Sequence, residues 1–228
     1  MAASQQSSFD QPIYTDAVVD ILGAFAYGEL SAFWRVCEDA SMAPSLWDQM
    51  EMSRLAVVEF SKVTLLSERL SDFGVEPSDA MAPFRAPFEK FHSLTKPSDW
   101  WEGLVKVYVG DGIARDFYRE IANHLDPKTR EVVAAATADA GHAAYAVQAI
   151  RLGTSLDPTL GGRLALWGRR LMGEALAQAQ HVVADRETLA DLLTSGTIVG
   201  LDLAAMTSIF ANITEQHVLR MQALGLDH

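Results

Sequence analysis

Four acidic residues lie on apolar helical stripes, at separations that few folds can satisfy. Glu29 follows Val18, Leu22, Phe25 and Ala26, and Glu59 lies among Met52, Leu55 and Leu66. Asp111 shares a stripe with Leu104 and Tyr118, and Asp139 sits in an Ala-rich run with Ala135, Ala136, Ala143, Ala146 and Ile150. An acid on such a stripe faces packing, where a carboxylate needs a partner, a metal or an opposite charge. The separations are 30 residues from Glu29 to Glu59, 52 from Glu59 to Asp111 and 28 from Asp111 to Asp139. A step of about 30 residues fits a long helix, a short loop and a return to the same height on an antiparallel neighbour. The longer middle step has room for a crossover. Two antiparallel pairs joined by one crossover make a four-helix bundle.

Local punctuation agrees with that count. A helix is expected from about Thr15 to Asp39, and a second from Ser45 to about Leu70, ending before Gly74 and Pro77. Pro77, Pro83, Pro87 and Pro97 interrupt the crossover, which is expected to hold one short helix. Asp99 caps a third helix reaching about His124, and Asp126-Pro127 opens a fourth that runs through the Ala-rich segment to Ile150. Further helices are expected from Pro158 to about Ala184, near Glu187 to Thr194, and near Asp202 to Leu224. The reading is therefore all-α: a ferritin-like four-helix bundle with one long crossover and additional C-terminal helices. Residues 1–13 read as a loose tail and residues 14–228 as one domain, with the core bundle at about 15–150 and the C-terminal helices at about 158–224.

Composition narrows the function classes. The formal net charge is −12, with 30 acidic against 18 basic residues. Nucleic-acid binding relies on clustered Lys and Arg, and the densest cluster is Arg163, Arg169 and Arg170, so nucleic acid is an unlikely partner. No apolar run reads as a membrane span, and the Ser/Gln-rich start lacks the order of a signal peptide. A lone cysteine, Cys37, excludes an intramolecular disulfide framework and reads as a small core residue. Together these features place the chain in the cytoplasm, and a homodimer is the assembly the reading allows for.

The chemistry lies in two i, i+3 pairs, Asp139 with His142 and Glu59 with Lys62. Residues at that spacing share a helix face. With Glu29 and Asp111 they form a candidate metal set: Glu29, Glu59, Asp111, Asp139 and His142. Arg115 stands one turn beyond Asp111, while Tyr108 and Tyr145 stand three residues from Asp111 and His142. His181 and His217 are isolated, and Tyr27 lies on the far side of its helix from Glu29.

On these residues the chain resembles the ferritin-like relatives of the tRNA hydroxylases that act on 2-methylthio-isopentenyl-adenosine. The resemblance covers about residues 15–150 and rests on the four inward acids and His142. It implies a diiron centre that activates dioxygen, with Glu29 and Asp111 as single carboxylates and Asp139 and His142 as one acid-x-x-His motif. Glu59 supplies the acid of the other motif, but Lys62 stands where its histidine belongs, and Asp replaces Glu at two positions. A protonated lysine has no lone pair for a metal and stays protonated among carboxylates. Lys62 is therefore expected to replace one metal ion, leaving at most one iron or other divalent metal per chain, or none. Three outcomes follow for the Lys62, Glu59 and Tyr108 region: a degenerate hydroxylase, a non-catalytic bundle, or a self-modifying protein that joins Lys62 to a carboxylate as an isopeptide.

Overall fold

A computed structural model describes residues 12–138, 143–186 and 203–227, and every regular element among them is helical. Helix α1 spans Pro12–Asp39, and a 3₁₀ turn at Ala40–Met42 leads to α2, Leu46–Asp72. Two short helices form the crossover, α3 at Pro77–Met81 and α4 at Arg85–Leu94, with a 3₁₀ turn at Ala82–Phe84 between them. Then come α5 (Trp100–Ala122), α6 (Pro127–Ala136), α7 (Ala143–Leu156), α8 (Pro158–Asp185) and α9 (Leu203–Leu224).

The caps explain most of the boundaries. Ser45 Oγ accepts from Asp48 N at 3.2 Å, Asp99 Oδ1 accepts from Glu102 N at 2.9 Å, and Asp126 Oδ1 accepts from Thr129 N at 3.0 Å. Each satisfies a backbone donor that a helix start leaves open. Pro127 and Pro158 occupy first helical positions, where a missing N–H costs nothing.

Helix α1 is the central element. From Ala17 to Tyr27 nearly its whole circumference is buried, including Val18, Ile21, Leu22, Phe25 and Ala26. Antiparallel α2 covers one side, so that Phe33 meets Phe60 while Glu29 meets Lys62. The crossover covers another, and its backbone comes close enough that a Cβ at Gly23 would lie 2.3 Å from the Ala80 carbonyl oxygen. By length and composition alone Tyr14–Met42 could cross a bilayer, contrary to the sequence expectation. Two-thirds of its apolar stretch is buried inside the bundle, which accounts for that apolarity as packing.

Four further expectations need correction. The first helix begins at Pro12, inside the expected tail, and the crossover holds two short helices instead of one. The Ala-rich run is not one helix: α6 ends at Ala136, and α7 begins at Ala143. Thr137 adopts φ −98° and ψ 6°, and its carbonyl and hydroxyl both accept from the Arg119 guanidinium. That carbonyl is therefore drawn away from a continuing helix ladder. Cys37 is exposed on α1, one residue past buried Val36, because the covered sector of α1 narrows beyond Glu29. The short helix expected near Glu187 to Thr194 lies outside the described residues, as does most of the N-terminal tail.

Candidate functional site

The acid stripes of α1, α2 and α5 converge. Lys62 Nζ lies 2.7 Å from Asp111 Oδ1, 2.9 Å from Glu59 Oε2 and 3.2 Å from Glu29 Oε2. Glu29, Glu59 and Lys62 are buried and Asp111 is half-buried. Arg115 Nη1 stands 3.7 Å from the other Asp111 oxygen. These five residues were on the sequence-derived list, and the fold brings them to one point.

Their protonation follows from the geometry. Burial, followed by the charge of Glu59 and a hydrogen bond shared with it, pushes the Glu29 carboxyl well above the usual carboxylate range, with Lys62 opposing. For Lys62, burial works against the charge, but Glu29, Asp111 and Glu59 outweigh it and hold the ammonium above its ordinary value. Lys62 and Arg115 thus bring positive charge to the point where three carboxyl groups meet, the part that metal ions play in a carboxylate site.

Glu29, Glu59 and Asp111 each offer an oxygen within 4.8 Å of the others, a spacing a divalent cation could use. The Lys62 ammonium already occupies the point where those oxygens meet, and it cannot ligate. These residues as placed therefore do not fit a two-metal centre. Asp139 and His142 lie outside the described residues. Thr137 and Ala138, which precede them, line a space of about 10 Å³ beside Glu29, Lys62, Asp111 and Arg115.

The aromatic candidates have other partners. Tyr145 donates to Asp48 Oδ1 at 2.6 Å, which ties α7 to the start of α2 and directs its hydroxyl away from the cluster. Tyr108 is half-buried against the core, and Tyr27 packs edge-on against Phe88 at 5.8 Å. His181 is exposed and His217 is buried on α9. Tyr118 stacks on Phe25 at 3.9 Å, and burial, aided by the nearby Glu29, raises its phenol.

The C-terminal helices, which carry no residue of the candidate metal set, shape the space beside it. Ala175, Leu176, Ala179 and Val182 of α8, with Phe210 and Ile213 of α9, close a cavity of about 240 Å³ against α1, α4 and α5. Its walls are almost wholly apolar. Glu29, Glu59 and Asp111 border it, so the cluster faces both α2 and the cavity. The glycines flanking Asp111 serve different ends. A Cβ at Gly110 would meet nothing within 4 Å and the residue opens onto the cavity, whereas Gly112 admits the Arg220 side chain, 2.5 Å from where a Cβ would stand.

A second polar group borders the same cavity: Arg35 and Asp39 on α1, His92 on α4 and Lys106 on α5. Burial lifts Asp39 to about 6 against the pull of Lys106, and drops Lys106 to about 8 against the pull of Asp39. Burial, with Lys106 and Arg35 nearby, lowers His92 to about 3. Sequence reasoning missed this group. The available signal was the spacing of Phe84, Phe88, Phe91 and His92, a helical stripe within the proline-rich crossover.

An all-helical bundle with inward acids from three helices meeting at one buried point, and one long crossover, defines a ferritin-like protein. The model of the ferritin-like domain of actinomycetes matches residues 12–196, and the chain belongs to that family. No curated protein matches the chain.

Proposed function

We propose that this chain is a ferritin-like binding protein whose carboxylate site is neutralised by Lys62 in place of a metal, and whose adjoining cavity holds an apolar small molecule. The observation that carries this reading is Lys62 Nζ within 3.2 Å of three carboxyl groups that also border the cavity. A buried ammonium with three acceptors is a satisfied ion, so the cluster needs no metal to persist. The protein takes at most one iron or other divalent ion per chain, with Asp111 and the undescribed Asp139 and His142 as its remaining ligands.

Elemental analysis after loading with iron(II) tests the metal half: at most one transition metal per chain is expected, and two tightly bound irons would overturn it. Lys62→His restores a neutral nitrogen donor and is expected to raise occupancy. Unchanged metal content in that variant counts against the ligand assignment.

Two other readings each have one observation in their favour. The shared walls would expose a cavity ligand to any metal held by Glu29, Glu59 or Asp111, which favours a hydroxylase reading. That chemistry requires Lys62 to leave the oxygens it now contacts. Separately, Lys62 Nζ stands 2.7 Å from Asp111 Oδ1, and loss of one water between them would form an isopeptide bond with Glu29 as proton shuttle. The charge balance favours the intact ion pair, and intact mass separates the two states by one water. Binding of tRNA is expected to be poor at physiological salt for a chain at −12; tight binding with a steep salt slope would contradict this.

A further inference from the structure

The end of the cavity remote from Lys62 holds a buried polar atom with a defined role. His92 is about nine-tenths buried and lines the cavity. Its Nε2 stands 3.0 Å from Ser31 Oγ, and Ser31 Oγ donates to the Gly28 carbonyl at 2.9 Å. Since the serine proton is committed to Gly28, the serine oxygen accepts from Nε2–H. The alternative would leave a buried Nδ1–H without an acceptor, which is rarer and costlier than a bare lone pair. The neutral ring expected from its depressed pKa carries one proton, on Nε2. Nδ1 is then an acceptor, and no described protein group donates to it.

The surroundings define what could. Arg35 Nε is also buried without a described partner, and Arg35 lines the cavity. Lys106 Nζ donates to the Thr95 carbonyl at 2.7 Å and keeps two further hydrogens. Donors from Arg35 and Lys106 thus accompany one acceptor from His92. Arg35 is paired with Glu38 at 2.7 Å and Lys106 is drawn to Asp39, so this end carries no surplus charge to attract an ion. A carboxylate would set lone pair against lone pair at Nδ1, and an ammonium would face two cations. A neutral hydroxyl suits both kinds of group: it donates to Nδ1 and accepts from Arg35 or Lys106.

We infer that the cavity binds a neutral, apolar alcohol or phenol, its hydroxyl donating to His92 Nδ1 and its apolar body extending towards Glu29 and Tyr118. The inference rests on the reading of the cavity as a ligand site and adds the ligand's chemical class. Size follows from volume. A cavity of 150 Å³ is known to take one benzene ring, so about 240 Å³ accommodates on the order of ten heavy atoms.

The test uses a pair of isomers of equal size, 1-nonanol and 1-methoxyoctane, of which only the alcohol can donate a hydrogen bond. Calorimetric titration of the full chain is expected to show the alcohol binding about tenfold tighter than the ether, the effect of one buried hydrogen bond. In His92→Leu that preference falls to about onefold while ether binding is retained, which also reports that the variant is folded. Gly110→Leu, whose side chain enters the cavity, abolishes binding of both. Imidazole nitrogen resonances supply an independent readout: the His92 Nδ1 signal is expected to move upfield with the alcohol and not with the ether. Equal affinities in the wild type, or a preference that survives in His92→Leu, overturn the hydroxyl inference alone. If neither molecule binds the wild-type protein, the cavity reading itself fails.

Discussion

At the scale of single residues, Lys62 and His92 are both buried and both surrounded by charge, yet they end in opposite protonation states. Lys62 has three carboxyl groups within 3.2 Å, which outweigh its burial. Lys62→Met is therefore expected to destabilise the chain by about 3–5 kcal/mol near pH 7, the usual effect of leaving a buried charge uncompensated. The deficit should shrink in acid, where the uncompensated negative charge is lost; urea unfolding of both proteins at two pH values measures it, and a pH-independent deficit would remove the electrostatic explanation. For His92 burial comes first, and the charges of Lys106 and Arg35 add to it, lowering the ring to about 3. Above its ordinary value of 6.5 the ring is neutral in both states and contributes no pH dependence. Between 6.5 and about 3 the unfolded chain takes up a proton that the native chain refuses. Native stability is then present above that window and falls as pH drops through it, by up to about 1.4 kcal/mol per pH unit. His92→Gln should unfold in acid with a slope shallower by about one proton, and an identical slope would show that the ring titrates normally in the fold.

At the scale of elements, what the sequence revealed depended on whether a helix has one covered face or several. The inner face of α2, Met52, Leu55, Glu59, Lys62 and Leu66, was legible because its residues recur at helical steps between a capped start and the stop at Gly74 and Pro77. The helix starts at Ser45, Asp99 and Asp126 were legible because capping is local chemistry. Helix α1 was less so: covered on all sides around Phe25, it carries acids on more than one face, and Asp20 and Asp39 passed unnoticed beside Glu29. The break after Ala136 was hidden too, since it depends on Arg119, eighteen residues earlier, reaching Thr137. Cap chemistry also joins elements here. Asp126 accepts from Thr129 N at 3.0 Å, Thr129 Oγ1 at 2.6 Å and Tyr14 Oη at 3.1 Å, and pairs with Arg69 at 3.2 Å, linking α1, α2 and α6. Asp126→Ala removes the cap and leaves the buried Arg69 short of a partner, so a loss above the usual cap value of about 1 kcal/mol is expected, nearer 3 kcal/mol. Asp157 caps α8 on the surface, so Asp157→Ala should cost only the smaller amount. Equal losses in the two variants would mean that the Asp126 links add nothing to its cap.

At the scale of the whole molecule, the bundle covers its inner faces thoroughly but leaves one outer face apolar. On α2, Leu46, Met50, Ser53, Val57, Phe60 and Thr64 are all exposed and recur at alternating steps of four and three. Trp47 beside them is 62% exposed, and Trp34 on neighbouring α1 is 46% exposed. That spacing keeps one seam on a helix that packs against another at a shallow angle. An acidic chain gains solubility from its charge, so a seam kept apolar on its surface calls for a covering partner. We propose a second copy of the chain as that partner: in a two-fold arrangement, antiparallel α2 helices place the seam on itself, with Val57 near its middle. The covered cavity and the Lys62 cluster lie on the opposite side of α2, so pairing would leave both intact. Sedimentation equilibrium at tens of micromolar is expected to give a dimer for the wild type and a monomer for Val57→Glu. Because Val57 is 67% exposed in the single chain, the substitution should leave helicity and the unfolding midpoint of the monomer unchanged. A wild-type protein that stays monomeric across that range, or a Val57→Glu variant that still dimerises, would remove the seam as a self-association surface.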